Sequence, residues 1–340
     1  MEQIALTLAA KQTVHPIYVG AQAHASLHEW ADLSCKTLIL TDDGVPRAHV
    51  EAIASQCSNP VIMTVLQGEG AKSFSVFSDV CEMLLSHKFG RKDLLISVGG
   101  GVIGDLGGFC AASYMRGIRF INIPTTSLSQ IDSSIGGKTA INVHGVKNIV
   151  GAFYQPELVI VDPDFLHTLP RRHLNNGLVE AVKAGLIADS ALFDLFEQEN
   201  PYDHLTEIIK RSLHVKQHVV ENDPEEKGLR KILNFGHTIG HGVESVYGLS
   251  GLLHGEAVAV GMMPMLGSDS LRERVARVFE KIEIDPYKPY DVPQVLEAAT
   301  RDKKAQGDTV SIIVVNEPGE AIIESISFDR LAQIMREGHQ

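Results

Sequence analysis

The feature that most constrains the fold of this 340-residue chain is a change of hydrophobic pattern near its middle. In the first half, short β-branched runs alternate with stretches of helical spacing, which is typical of an α/β layer with a largely parallel sheet. From about Arg172 to Arg277, nearly every segment follows helical spacing. We therefore predict a Rossmann-like α/β domain over residues 1–165 and a mainly α-helical domain over residues 166–340.

Six segments of the first half have strand character, and one late pair predicts a hairpin. The predicted strands cover residues 17–19, 37–40, 61–66, 94–98, 120–123 and 159–161. The predicted hairpin joins residues 311–315 to 321–326 through a turn at 316–319. In the helical half, we expect breaks near Pro201, near Pro224 and at 248–251.

Composition excludes several classes of function. The net charge is −12, and no basic run is long enough to suggest a nucleic-acid surface. No run approaches the ~20 apolar residues of a membrane span. The four cysteines form no C-x-x-C pair and no signal peptide is recognisable, so we expect a cytoplasmic protein with reduced thiols. An anionic substrate would therefore need a local cluster of lysine and arginine.

Three histidines in two nearby segments suggest a metal site. His237 and His241 are four residues apart, so a helix places both imidazoles on one face, which Asn234 is expected to share. His254 follows 17 residues after His237, far enough for the chain to turn back. Two imidazoles from a helix and a third from a return segment are a plausible ligand set for a transition metal. The alternative is that all three are polar core residues.

A glycine-rich loop follows the fourth predicted strand. Gly99, Gly101 and Gly104 match G-x-G-x-x-G, in which the bare backbone and the next helix N-terminus can receive a pyrophosphate. The alternative is a tight turn without a ligand, and no acidic residue stands about 20 positions later to bind a ribose. Asp42 and the segment 67–72 end other strands, so in a parallel sheet they would lie at the same edge.

Polar segments after the fifth predicted strand add candidate groups for an anionic, hydroxylated ligand. Residues 124–139 are rich in serine, threonine and glycine and end near Lys138, with Lys147 and Asn148 nine residues on. A solvated loop is the alternative. Glu180 and Lys183 share one helix face among small apolar residues. A buried glutamate needs a partner, and a metal with two histidines would supply one; a surface ion pair is the alternative.

These segments, in this order, resemble the 3-dehydroquinate synthase family. The resemblance runs from about Leu38 to Val315 and is carried by G-G-G-V-I-G-D, D-S-S-I-G-G-K-T, K-N-I-V-G-A-F-Y-Q-P and N-F-G-H-T-I-G-H with L-H-G-E. It implies an N-terminal NAD-binding α/β domain and a mainly helical metal- and substrate-binding domain. It also implies a lyase of the shikimate pathway that converts 3-deoxy-D-arabino-heptulosonate 7-phosphate to 3-dehydroquinate and phosphate, with NAD and a divalent metal (Zn²⁺ or Co²⁺), in a homodimer.

The resemblance also implies a role for individual residues. The implied metal ligands are Glu180, His237 and His254. The implied dinucleotide site consists of Asp42, Glu69, Lys72, Gly100, Gly101, Val102, Gly104, Asp105, Thr125, Thr126, Lys138, Lys147, Phe165 and Thr168. The implied substrate and catalytic residues are Asp132, Lys138, Asn148, Lys183, Lys216, Arg230, Asn234, His241, Lys303 and Lys304, with Arg116 reaching a phosphate across the dimer interface.

The chain departs from the commoner family pattern at three places: Asp43–Gly44, Ala184 and Asn175–Asn176. The spacing of Arg230, Asn234 and His237 predicts that all three project from one helix, with Arg230 binding a substrate carboxylate. Alternatively, Arg230 caps a helix turn or pairs with Glu225 or Glu226. The competing functions are a sibling sugar-phosphate cyclase, a metal-dependent polyol dehydrogenase of related fold, and a non-catalytic scaffold.

Overall fold

The computed structural model describes residues 13–223, 226–248, 251–300 and 308–338. Its first half is a six-stranded sheet in which every neighbouring pair is parallel. The strands are β1 (Ile17–Val19), β2 (Lys36–Asp42), β3 (Asn59–Val65), β4 (Leu94–Gly99), β5 (Arg119–Pro124) and β8 (Leu158–Val161), in the order β1-β8-β5-β4-β2-β3. All six strand predictions are confirmed, with ends shifted by one or two residues.

Apolar side chains on both faces of the sheet explain why it is buried. Along β2, Ile39 packs into the cluster on one face, while Leu38 and Leu40 pack into the cluster on the other. This alternation with period two is what a parallel strand covered on both sides requires. The covering helices are α1 (Leu27–Trp30), α2 (Arg47–Ala54), α3 (Phe74–Ser86) and α4 (Gly101–Ser113).

An antiparallel hairpin leaves this sheet and was missing from the strand prediction. It consists of β6 (Lys138–Val143) and β7 (Val146–Phe153). His144 and Gly145 form its two-residue turn, both with positive φ (49° and 80°), as the favoured hairpin turn demands. The alternative of a solvated loop over residues 124–139 does not describe the whole stretch, which holds a short π-helical turn at Ser129–Ser133 and the start of β6.

The second half is mainly helical, as predicted. Its helices are α5 (Arg171–Ala188), α6 (Ser190–Gln198), α7 (Leu205–Asn222), α8 (His237–Tyr247), α9 (His254–Met262), α10 (Asp269–Lys281), α11 (Val292–Thr300) and α12 (Phe328–Glu337). The predicted late hairpin is confirmed as β9 (Thr309–Glu317) and β10 (Glu320–Ser327). One large apolar cluster surrounds α5, which is buried along most of its length. In the described part of the chain, no helix has the length and apolarity needed to cross a bilayer.

Candidate active site

The helical half brings one glutamate and three histidines together. Glu180 lies in α5, His237 and His241 in α8, and His254 is the first residue of α9. One ring nitrogen from each histidine lies within 4.8 Å of the others. Oε1 of Glu180 lies 3.7 Å from Nε2 of His237 and 3.5 Å from Nε2 of His254. Carboxylate and imidazole donors at this spacing are those that bind zinc and similar ions.

Glycines let the two histidine-bearing helices come close enough for these side chains to meet. A Cβ on Gly261 of α9 would lie 2.0 Å from the carbonyl oxygen of Gly236, so no larger residue fits there. Gly236 precedes α8 and has φ 76°, a left-handed conformation that L side chains rarely adopt. The side chain of Asn176 in α5 accepts a hydrogen bond from the Gly255 amide (2.6 Å) and fixes the start of α9.

The hydrogen bonds of the two inner histidines orient their rings toward Glu180. Nδ1 of His237 lies 3.0 Å from the carbonyl oxygen of Phe235, to which it can only donate. Nδ1 of His254 lies 3.4 Å from Oε2 of Glu244. In both rings, a proton on Nδ1 leaves the Nε2 lone pair directed at Glu180, which is the arrangement of a metal-ligating histidine.

Glu180 is buried, and neither of its carboxylate oxygens makes a hydrogen bond. The Lys183 ammonium lies in ion-pair contact with Oε2, so this pair is buried rather than a surface one. Burial alone would raise the pKa of Glu180, but Lys183 and His237 outweigh it and hold that pKa well below its usual range. A buried carboxylate with unsatisfied oxygens beside two imidazole lone pairs fits a divalent cation.

The same environment separates the pKa values of the two inner histidines. Burial, aided by the nearby Lys183 charge, lowers the pKa of His237 to about 3, so this imidazole is neutral at physiological pH. Burial also disfavours the charged form of His254, but the adjacent carboxylates of Glu180 and Glu244 outweigh it and raise that pKa to about 9. Without a metal, His254 carries a proton that any metal ion must displace.

Two overlapping ligand sets were predicted, and the structure brings the members of both together. The three-histidine set includes His241, whose side chain is exposed and whose ring centre lies 5.2 Å from that of His237. The set implied by the family resemblance replaces His241 with Glu180. We favour the latter, because Glu180 is the buried group that lacks hydrogen bonds while His241 reaches solvent.

The prediction that Arg230, Asn234 and His237 share one helix is wrong. Arg230 and Asn234 lie in a 3₁₀ segment, Leu229–Asn234, and α8 begins only at His237. The left-handed Gly236 separates the two segments and changes the chain direction. Three main-chain amides, including that of Arg230 (2.9 Å), donate to the Asp223 carboxylate, which stabilises this turn.

Predicted substrate residues form a charged cluster beside the metal candidates. Nζ of the buried Lys216 lies 2.8 Å from Oδ1 of Asp132. Burial lowers the pKa of Lys216, and Asp132 only partly offsets this effect. Burial would raise the pKa of Asp132, but Lys216 and Lys183 outweigh it, and the pKa is lowered. Arg230 is also buried, so this cluster concentrates three cationic side chains inside a protein of net charge −12.

Glu226 is a further member of this cluster, and the sequence analysis named it only as a potential partner of Arg230. Its Oε1 accepts a hydrogen bond from Nδ2 of Asn234 (2.8 Å), and its Oε2 is in ion-pair contact with Lys138. Burial opposes ionisation, but Lys138, Asn234 and Arg230 outweigh it and lower the pKa of Glu226. Glu226 lies in the irregular chain between α7 and the 3₁₀ segment, so no helical spacing points to it. Its closeness to Arg230 in the sequence was the only indication that it belongs to the site.

The predicted dinucleotide residues gather at the carboxyl edge of the sheet. Gly100 and Gly101 join β4 to α4, and Gly100 supplies no side-chain cap to the helix N-terminus. Lys72 is buried and lies 2.6 Å from Oδ2 of Asp105, and it also contacts Asn148 of the hairpin. Burial raises the pKa of Asp105, and Lys72 partly offsets this. The chain reverses its direction across the sheet between β2 and β4, which is where open α/β sheets bind ligands.

Other predicted cofactor residues lie at the same edge of the sheet, each with its own hydrogen bonds. Asp42 ends β2 and accepts a hydrogen bond from the Gly44 amide (2.9 Å). Glu69 accepts one from Nδ2 of Asn142 (2.8 Å). The amide of Thr125, next to Thr126, donates to the Gly99 carbonyl (2.9 Å), which ties β5 to the glycine loop. Residues Gly101, Val102 and Gly104 form the first turn of α4.

The remaining predicted residues do not share one location. Phe165 is buried in the core between the rings of His24 and His49, and Thr168 lies 2.9 Å from Nε2 of His49. Lys147 pairs with Glu244 at 2.7 Å. Arg116 is exposed at the far end of α4, about 20 Å from the glycine loop along a helix of this length. The predictions for Lys303 and Lys304 lie outside the described residues.

Together, the parallel sheet, the bare helix N-terminus and the helix-borne Glu–His cluster define an α/β enzyme with a candidate metal centre beside a cationic substrate site. Family models agree with this class. The model described as 3-dehydroquinate synthase N-terminal matches residues 62–176, and the model described as 3-dehydroquinate synthase C-terminal matches residues 177–305.

Comparisons with whole proteins give the same family. The chain is 37% identical over 319 residues to a 3-dehydroquinate synthase of Streptococcus sanguinis (88% of this chain, 90% of the relative). It is 38% identical over 335 residues to that of Campylobacter concisus (95% of each). The chain belongs to the 3-dehydroquinate synthase family. It is therefore a lyase that eliminates phosphate in forming 3-dehydroquinate, a step of the shikimate pathway.

Solved structures of sugar-phosphate cyclases are similar over nearly the whole chain. A 2-epi-5-epi-valiolone synthase of Streptomyces hygroscopicus, solved with NAD⁺ and Zn²⁺, superposes with a TM-score of 0.88 at 25% identity (98% of this chain, 99% of the other). A 2-deoxy-scyllo-inosose synthase, solved with carbaglucose-6-phosphate, NAD⁺ and Co²⁺, gives 0.83 at 26% identity (95% and 96%). The predicted combination of a Rossmann-like sheet and a helical half is thus confirmed.

Proposed function

We propose that Glu180, His237 and His254 hold one divalent metal ion, Zn²⁺ or Co²⁺, and that NAD lies at the carboxyl edge of the sheet. The observation that carries this proposal is the buried carboxylate of Glu180, whose Oε1 has no hydrogen-bond partner and faces Nε2 of His237 and of His254. When bound, the metal ion supplies a Lewis acid for a substrate hydroxyl, and the dinucleotide supplies reversible hydride transfer. The proposal also includes a boundary near residue 165 between the NAD-binding domain and the metal- and substrate-binding domain.

The cationic cluster binds the anionic ends of 3-deoxy-D-arabino-heptulosonate 7-phosphate. The planar Arg230 guanidinium suits the substrate carboxylate, because paired N–H donors match its two oxygens. Lys183 and Lys216 are buried, so their charges are screened little by water and attract phosphate or carboxylate oxygens strongly. Asn234 is half-buried beside them and can bind a substrate hydroxyl.

Three groups at the site can move protons. Glu226 is an ionised carboxylate held by Lys138 and Asn234, and it can accept a proton from a substrate oxygen or carbon. Asp132, also ionised, is paired with Lys216. His241 reaches solvent from the metal side and can exchange protons with water. The leaving phosphate is a further candidate base.

A homodimer would complete the site through Arg116. Met115 and Arg116 both have positive φ (51° and 66°), a strained pair that holds the arginine outward. We define the hairpin patch as four exposed apolar side chains, Met115 and, on the β6–β7 hairpin, Val146, Ile149 and Phe153 (45%, 49%, 60% and 70% exposed). Tyr154 links the two parts, since its hydroxyl donates to the Ile118 carbonyl at 2.6 Å. A second copy of the chain would cover this patch and bring its Arg116 to the cavity that Asp105, Lys138 and Phe153 line.

The dimer has a direct test. Phe153→Asp should lower the molar mass measured by analytical ultracentrifugation to that of one chain. Leu85→Asp, at an exposed apolar position outside the patch, should leave the molar mass at that of two chains. A monomeric wild type at micromolar concentration would overturn the dimer.

All four cysteines are free, which supports the reducing cytoplasm as the location of the protein.

A phosphate-release assay tests the function as a whole. The purified chain should release phosphate from the heptulosonate phosphate only when NAD and a divalent metal are present, and a chelator should abolish release. Sedoheptulose 7-phosphate, which lacks the carboxylate, should be a poor substrate because it cannot make the paired hydrogen bonds with Arg230, a loss of about 1–3 kcal/mol. Comparable turnover of both sugars would favour a sibling cyclase.

A further inference from the structure

Glu244 connects the metal candidates to the β6–β7 hairpin, and the proposed function gives it no role. Its side chain projects from α8, one turn before the end of that helix, and is 18% exposed. Oε2 lies 3.4 Å from Nδ1 of His254, and Oε1 lies 2.7 Å from Nζ of Lys147 on β7. Each carboxylate oxygen therefore has one partner, and the two partners come from opposite halves of the molecule.

The two inner histidines are oriented by different kinds of group. Nδ1 of His237 faces the main-chain carbonyl of Phe235, only two residues away, so the local backbone fixes that ring. Nδ1 of His254 faces a side chain from another helix, ten residues earlier in the sequence. The orientation of His254 therefore depends on where Glu244 is held, and Lys147 holds the other end of that carboxylate.

We propose that Glu244 is a positioning residue, which accepts the Nδ1 proton of His254 and thereby directs Nε2 of that ring toward the metal ion. The inference rests on the proposed metal set of Glu180, His237 and His254. A carboxylate behind a ligating imidazole fixes its tautomer and ring orientation and makes the nitrogen at the metal a stronger donor. Removing such a partner weakens metal affinity by about 10- to 100-fold.

The proposal predicts a graded series at position 244. Glu244→Gln keeps an oxygen acceptor but loses the charge, whereas Glu244→Leu keeps the approximate volume and loses the acceptor. The dissociation constant for Zn²⁺, measured by chelator competition on the full chain, should rise in the order wild type, Gln, Leu, with the Leu variant weaker by about 10- to 100-fold. Glu197→Gln is the matched control, since Glu197 pairs with Arg274 at 2.6 Å outside the site, and it should bind Zn²⁺ like the wild type.

Two further readouts separate positioning from a loss of stability. In Co²⁺-loaded protein, the visible absorption bands of the metal should shift in the Leu variant and return toward wild type in the Gln variant. In a His254→Ala background, Glu244→Leu should change the remaining Zn²⁺ affinity by less than about threefold, because Glu244 acts through His254. Melting temperature and circular dichroism identify any variant that does not fold, and the Gln variant then carries the test.

The outcomes are distinct. If the wild type binds no Zn²⁺, the proposed metal set fails and the role of Glu244 fails with it. If the wild type binds Zn²⁺ and His254→Ala binds it more weakly, while folded Glu244 variants keep wild-type affinity and cobalt spectrum, only the role of Glu244 is overturned. An equal loss of affinity from Glu244→Leu with and without His254 would also overturn it, because the effect would not pass through the histidine.

Discussion

The proposed metal site and the carboxyl edge of the sheet, where we place the dinucleotide, are built in opposite ways. Glu180, His237 and His254 project from three packed helices, and the donors are side-chain atoms in a buried setting. At the dinucleotide edge, the central element is a bare loop, Gly99 to Gly101, that offers main-chain groups at a helix N-terminus. We therefore expect the metal site to fail when side chains are removed, and the dinucleotide site to fail when side chains are added.

The largest effect is expected from removing a metal ligand. His237→Ala should abolish stoichiometric Zn²⁺ binding and lower phosphate release by about 10³-fold or more, because the Lewis acid is worth several kcal/mol. Metal content by atomic spectroscopy and phosphate release are the measurements. His241→Ala is the matched variant and should retain zinc. A His237 variant with full zinc would contradict both ligand sets, whereas zinc loss in His241→Ala but not in Glu180→Ala would favour the three-histidine set.

The glycine loop should show the opposite sensitivity. A Cβ on Gly101 would lie 3.0 Å from Oγ of Ser133, so Gly101→Val crowds the place where a pyrophosphate would approach. We expect NAD affinity, measured by calorimetry, to fall about 100-fold, since overpacking costs ~1–3 kcal/mol, with Zn²⁺ binding unchanged. Gly20→Val is the control, because a Cβ there meets nothing within 4 Å. Unchanged NAD affinity in Gly101→Val would remove the loop from the cofactor site.

A variant of Arg230 tests the substrate site, between the metal site and the dinucleotide site. Arg230→Lys keeps the charge but loses the paired donors, so the KM for the heptulosonate phosphate should rise about 30-fold, a cost of ~2 kcal/mol, while zinc and NAD binding stay intact. Arg274→Lys, at a bidentate pair with Glu197 outside the site, is the control. If the KM of Arg230→Lys equals that of the wild type, the substrate carboxylate is bound elsewhere.

The last expected effect concerns pH. The pKa of His254 is raised to about 9 in the metal-free protein, so below pH 9 a proton competes with the metal ion for Nε2. Zn²⁺ affinity should therefore increase by about tenfold per pH unit between pH 6.5 and 8.5 and level off above pH 9. Calorimetry in buffers of different ionisation enthalpy should count one proton released per ion at pH 7.5. Affinity that is independent of pH would show that His254 is already neutral before metal binds.

The same contrast explains what could be predicted from the sequence. The helix-borne pair His237 and His241 follows from an i, i+4 spacing, which a single local rule interprets. The alternating strands and glycine loop follow from equally local patterns. Glu226 was missed as a site residue because its place depends on Asp223, Lys138 and Asn234, contacts that no periodicity encodes.

Two errors have specific physical causes. The expected helix from Arg230 to His237 is interrupted at Gly236. The left-handed φ of 76° at this residue separates the 3₁₀ segment from α8. The missed β6–β7 hairpin directly follows a stretch, residues 124–137, whose serines and glycines resemble a loop. Its signal was His144–Gly145, a two-residue turn with glycine at its second position between Val143 and Val146.

The central claim is that the metal end and the dinucleotide edge serve one reaction without net oxidation. The direct test is to follow phosphate release and the absorbance of NADH in one reaction, with NAD present at one equivalent per chain and substrate in large excess. The account predicts many phosphates released per NAD and no accumulation of NADH. NADH that appears one for one with product, and release that stops after one turnover, would contradict the account and favour a polyol dehydrogenase.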